Sequence, residues 1–127
     1  MIYSKNIKVI RNEYHVLLPD PPSCSFITSP AVNVRGMSLG NKSNRVIKVM
    51  TDRIDKILNV FHKNGNTTIV LGAFGCGVFE NDPITVAQIF NTLLTSKYKN
   101  VFKRVVFAIY DTKGSIISDF RNNIQVT

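Results

Sequence analysis

Glycines at 72, 75 and 77 follow directly on the apolar run Thr68-Ile69-Val70-Leu71, in the stretch Gly72-Ala73-Phe74-Gly75-Cys76-Gly77-Val78-Phe79. Glycine reaches positive φ, and its missing Cβ lets several backbone N–H groups close on one anion, so such a loop offers a phosphate cradle. The spacing fits neither G-x-G-x-x-G nor G-x-x-x-x-G-K-[ST], which disfavours a dinucleotide fingerprint and an ATPase loop. The same residues also suit a tight strand-to-helix turn that holds no ligand. Glu80 and Asp82 border the loop, and Asp111 ends a later apolar run, so a carboxylate there could reach a ligand held by the loop. Each has a plainer reading, Asp82 as a helix cap before Pro83 and the other two as solvated turn residues. Cys76, between two glycines near a helix start, reads as a small packing residue, with a lowered thiol pKa as the alternative, although no histidine lies nearby in sequence to activate it. Cys24 and Cys76 are too few for a zinc site, and His15 and His62 belong to no triad or metal cluster. No catalytic residue, metal or cofactor is therefore assigned.

The elements that position these residues follow from periodicity. Ile7-Lys8-Val9-Ile10 and His15-Val16-Leu17-Leu18 read as short strands of an edge hairpin, and Ser25-Phe26-Ile27-Thr28-Ser29 as a strand stopped by Pro30. From Ser43 to Asn64, Ile47, Met50, Ile54, Ile57, Leu58 and Phe61 recur at three and four, predicting an amphipathic helix closed by Gly65. Thr68 to Leu71 and Val105 to Tyr110 are near-continuous β-branched and aromatic runs, as in strands covered on both faces of a parallel sheet. Between them a second helix opens at Asp82-Pro83, with Ile84, Val86, Ala87, Phe90 and Leu93 or Leu94 as its apolar stripe. Two strand-helix-strand units, 25 to 71 and 68 to 110, then predict three parallel strands with right-handed crossovers. Loops leaving one edge of such a sheet commonly bind ligands, and here they are Ser29 to Asn33, Phe74 to Asn81 and Tyr110 to Thr112.

With 127 residues, 44% of them hydrophobic, the chain suits one domain spanning residues 1–127. No apolar run approaches a membrane span and no signal-peptide pattern opens the chain, so a soluble cytoplasmic protein is expected. Its net charge of +8 would favour nucleic acid or another phosphate-rich partner. The cations at Lys42, Arg45, Lys48 and Arg53 and at Lys97, Lys99, Lys103 and Arg104 lack interleaved aromatics, however, and read mostly as solvated surface.

Three separated blocks carry a resemblance: Ile27-Thr28-Ser29-Pro30-Ala31-Val32-Asn33, then Gly72 to Phe79 with Asn81-Asp82-Pro83, then Phe102-Lys103-Arg104-Val105-Val106-Phe107-Ala108-Ile109-Tyr110-Asp111. Together they resemble the microbial-type poly(ADP-ribose) glycohydrolases, from about Lys5 onward. The resemblance implies an α/β, macrodomain-like α/β/α fold with a mostly parallel central sheet, holding ADP-ribose along the sheet's carboxyl edge. It implies Gly72, Ala73, Phe74, Gly75, Cys76, Gly77, Val78 and Phe79 as the cradle for diphosphate and distal ribose, Asn33 on the ribose side, and Tyr110, Phe107 or Phe120 facing adenine. Core packing is the competing role for these aromatics. The family's triple glycine and following pair of acidic residues, one of them the general acid, have no counterpart here, since the only glutamates are Glu13 and Glu80. The chain is expected to be an N-terminally truncated, non-catalytic relative that recognises ADP-ribose or a related nucleotide. Hydrolysis of ADP-ribose linkages by a different carboxylate, and a basic nucleic-acid or protein-binding scaffold with a vestigial pocket, are the alternatives. An exposed sheet edge or face would favour a homodimer.

Overall fold

The computed structural model describes residues 1–37 and 43–125, so Lys42 lies outside the described residues. The chain divides into two compact units, Met1–Pro30 and Ala31–Thr127.

In the first unit, strand β1 (Ile2–Lys8) pairs antiparallel with β2 (Ser23–Thr28), with Ile2 opposite Thr28 and Lys8 opposite Ser23. The register slips between Ser4 and Ile7, and Asn6 takes a positive φ of 54° there, a conformation that asparagine tolerates better than most side chains. This corrects two expectations. The first strand begins earlier, at Ile2, and ends at Lys8, and the segment after it forms only a minimal hairpin, with one bridge between Arg11 and Leu17 closed around Asn12. The second strand joins its antiparallel neighbour and, among the described residues, does not extend the parallel sheet. The strand near Ser25–Ser29 was legible from composition, but its choice of partner depends on hydrogen bonding between distant segments, which composition does not carry.

In the second unit, helix α1 (Asn44–Lys63) buries Met50, Ile54, Ile57, Leu58 and Phe61, the predicted stripe, and ends at Gly65 with φ 73°, where a left-handed residue closes the last turn. Strand β3 (Thr68–Leu71) pairs parallel with β4 (Arg104–Phe107), and helix α2 (Pro83–Thr95) crosses between them. Helix α2 buries Val86, Ala87, Ile89 and Phe90, whereas Ile84 of the expected stripe is exposed. A third helix, α3 (Ser115–Asn123), packs on α2 and was not expected. Phe107 of β4 sits between Phe90 of α2 at 5.2 Å and Phe120 of α3 at 5.5 Å, so aromatic packing ties both helices to one face of the sheet.

The burial of β3 alternates: Ile69 and Leu71 are buried while Val70 is 61% exposed. The strand is therefore covered on one face, where an apolar run had suggested two. The expected strand 105 to 110 also stops early, since β4 ends at Phe107.

Across the interface of α1 with the end of α2, Lys97 reaches both carboxylate oxygens of Asp55 at 2.8 Å, and the buried Tyr98 hydroxyl donates to Asp55 Oδ1 at 2.8 Å. The Lys97 hydrogen bonds hold the Asp55 carboxyl below its ordinary range, against partial burial, with Tyr98 assisting. No described helix is long and apolar enough to cross a membrane.

Candidate functional site

The loop leaving β3 has a built interior. Cys76 N–H donates to Ala73 O at 3.0 Å, Gly75 turns the chain at φ 78°, and Asn81 N–H returns to Gly75 O at 3.1 Å. The Asn81 side chain, 4% exposed, then donates to Gly75 O at 2.9 Å and to Val32 O at 2.7 Å. Val34 N–H adds a bond to Phe79 O at 3.1 Å, and Arg35 faces Glu80 at 3.5 Å. The loop is thus sewn to the segment from Ala31 to Arg35, which brings Asn33 beside it. Asn33 is exposed, and its side-chain oxygen accepts from Arg35 N–H at 3.1 Å, fixing a local turn. Sequence reasoning missed Asn81 as the lock. A buried amide 49 residues from Val32 leaves no local signature, although the residue stood inside the quoted block.

The three glycines differ in role. A Cβ on Gly75 would lie 2.6 Å from both Ala31 Cβ and Asn81 Nδ2, so both φ and space require glycine there. A Cβ on Gly72 would meet only Ala108 O at an ordinary 3.6 Å, and one on Gly77 would meet nothing within 4 Å. The N–H groups of Cys76, Glu80 and Asn81 are spent inside the loop, while those of Gly77, Val78 and Phe79 have no hydrogen bond among the described residues. Three consecutive amides on an open stretch form the part of the loop suited to an anion.

Cys76 is buried, and desolvation, followed by the charges of Asp82 and Asp119, pushes its thiol up to about 12. This is the small-residue packing read from the sequence and not the activated thiolate weighed beside it: the side chain packs as a small hydrophobe. Asp82 is the N-cap of α2, accepting from Thr85 N–H at 3.0 Å and from the Thr85 hydroxyl. Asp111 accepts from the N–H groups of Ile116 at 2.7 Å, Lys113 at 3.0 Å and Ile117 at 3.2 Å, and so holds the first turn of α3. Desolvation is the largest single influence on its carboxyl and raises its pKa, but backbone bonds from Ile117, Lys113, Ile116 and Gly114 together outweigh it and leave the pKa lowered. Glu80, at φ 58°, donates its N–H to Gly77 O and points an exposed carboxylate to Arg35. No group of His, Cys, Asp and Glu suited to a metal occurs among the described residues.

Beyond the end of β4, Phe107, Ile109, Ile117, Phe120, Arg121 and Ile124 line a groove of about 280 Å³. Of the three aromatics considered for adenine, Phe107 and Phe120 border this groove, while Tyr110 is 92% exposed and outside its lining. The groove and the open amides both follow the carboxyl ends of β3 and β4, the edge where parallel sheets commonly bind ligands.

Solved structures match this arrangement closely. Poly(ADP-ribose) glycohydrolase from Deinococcus radiodurans, in complex with ADP-ribose, superposes with a TM-score of 0.86 at 33% identity over 95% of this chain and 50% of that one. The chain shares its macrodomain-like α/β fold with the microbial poly(ADP-ribose) glycohydrolases. The same enzyme in apo form gives 0.84 at 33% identity over 95% and 51%, and the Thermomonospora curvata glycohydrolase gives 0.87 at 35% over 96% and 46%. The chain spans about half the length of these glycohydrolases. No family model and no curated protein matches the sequence.

Proposed function

We propose that the chain recognises ADP-ribose, or a related nucleotide diphosphate, without hydrolysing it. The observation that carries this reading is the open run of amides from Gly77 to Phe79, in a loop that Asn81 pins to Val32, in a fold whose Deinococcus relative is in complex with ADP-ribose. In this reading the diphosphate rests on those amides, the ribose side faces Asn33, and the base enters the groove between Phe107, Ile117 and Phe120. Recognition without hydrolysis is proposed because the carboxylates near the loop serve as helix caps or pair with a cation. A cytoplasmic location and association into a homodimer complete the proposal.

Calorimetric titration with ADP-ribose, with AMP as the comparison for base affinity alone, tests it. Saturable binding tighter than that of AMP is expected, and silence up to millimolar ADP-ribose would overturn the reading. Release of ADP-ribose from a modified protein would instead establish hydrolysis.

A further inference from the structure

The cations that look dispersed along the sequence are gathered by the fold. Gly65 N–H donates to His62 O at the end of α1, and the chain runs on through Thr67 into β3. Thr67 O then receives the N–H groups of Lys103 at 2.8 Å and Arg104 at 3.3 Å, and Arg104 stands opposite Thr68 in the sheet register. The turns that feed β4, Lys99 N–H to Ser96 O and Val101 N–H to Tyr98 O, bring Lys99 to the same end. Lys63, Lys99, Lys103 and Arg104 therefore collect around the amino ends of β3 and β4, at the opposite end of the strands from the cradle.

Their surroundings are one-signed. No Asp or Glu occurs from Lys56 to Phe79 or from Pro83 to Tyr110. Asp55, the acid just before the first of these segments, is engaged by Lys97 and Tyr98, and no ion pair to Lys63, Lys99, Lys103 or Arg104 occurs among the described residues. The helix dipole accounts for Lys63 in the last turn of α1, but not for the three cations on the facing turn and strand. Exposed Asn64, Thr67, Thr68 and Asn100 intersperse these cations with short hydrogen-bonding side chains, of the kind that contact phosphate oxygens alongside lysine and arginine. The pole lacks the exposed aromatic or aliphatic residues that insertion into a lipid surface requires: Tyr98 is buried and Phe102, stacked on it, is half-buried.

We propose that this pole is a second site, which grips the phosphate backbone of nucleic acid without reading its sequence. The two ends of the β3–β4 sheet then serve different ligands, a small nucleotide at the carboxyl end and a polyanion at the amino end.

Fluorescence anisotropy with a labelled DNA duplex of mixed sequence, across a salt series, tests this. The variant Lys99→Gln/Lys103→Gln/Arg104→Gln is compared with Arg45→Gln/Lys48→Gln/Lys113→Gln, which removes the same charge from exposed positions of the same unit, in the first half of α1 and just before α3. The pole variant is expected to bind at least ~10-fold more weakly and to lower the salt slope by about 1 for each cation removed. The control variant should stay within about threefold of the unmodified protein, since loss of distant charge affects steering more than contact. Equal weakening in both would make net charge the whole cause and overturn the proposal. So would failure of the unmodified protein to bind the duplex, or binding confined to anionic lipid vesicles. Unchanged thermal midpoints in both variants tie the readout to binding.

Discussion

A methyl group at Gly75 should cost stability and an isopropyl group at Gly77 affinity, although the residues stand two apart in one loop. At Gly75 the left-handed conformation costs an ordinary residue about 1–2 kcal/mol, and the contact with Ala31 and Asn81 adds about 1–3 kcal/mol of overpacking. Gly75→Ala should therefore destabilise the protein by roughly 2–5 kcal/mol in urea unfolding. Gly77→Val meets open space and keeps a permitted φ, so its thermal midpoint should be unchanged while ADP-ribose affinity falls ~10-fold or more, about 1.4 kcal/mol, as bulk screens the open amides. A folded Gly77→Val variant that binds as tightly as the parent would remove the cradle from the proposed site. The sequence showed that this loop had the composition for an anion. It did not show that one glycine holds the shape while another leaves room.

At the scale of elements, legibility followed how local each cause was. Helix α1 was read almost to its ends because its stripe repeats within the helix itself. Helix α3 was missed because the carboxylate that holds its first turn, Asp111, stands upstream of a left-handed Gly114 rather than at the usual capping position. The junction of α1 and α2 was equally hidden, since Asp55, Lys97 and Tyr98 meet across 42 and 43 residues. That junction makes an electrostatic prediction. The Asp55 carboxyl lies below its ordinary 3.8 and the Lys97 ammonium, bonded to it, above its ordinary 10.5. A depressed carboxyl pKa contributes stability that is complete above its unfolded value and is lost as pH falls through the folded one. A raised ammonium pKa contributes below its unfolded value and loses it as pH rises through the folded one. Asp55→Asn should thus be less stable than the parent at neutral pH, with the gap narrowing as pH drops below about 4. A gap that stays constant from pH 7 to pH 3 in parallel denaturant titrations would exclude the carboxylate's charge as its source.

For the molecule as a whole, the uncovered face of the parallel pair is the feature with the widest consequence. Among the described residues β3 pairs only with β4, so each strand has an open edge, and Val70 projects from β3 with most of its surface in water. Strand edges and apolar faces of this kind favour pairing with another chain. In the proposed homodimer, a second copy takes up part of that surface, and Val70 lies within or beside the contact. Removing a fully buried valine from water contributes about 1.5–3 kcal/mol per copy, enough to shift a dimerisation constant by roughly tenfold or more if the residue is replaced by a charge. Sedimentation velocity over a concentration series should show a dimer that Val70→Lys converts toward monomer, with ADP-ribose affinity per chain unchanged because the Gly77 to Phe79 amides lie beyond the end of the strand. A parent protein that remains monomeric at the highest concentration would show that the face stays solvated, and a dimer indifferent to Val70→Lys would move the contact to another surface.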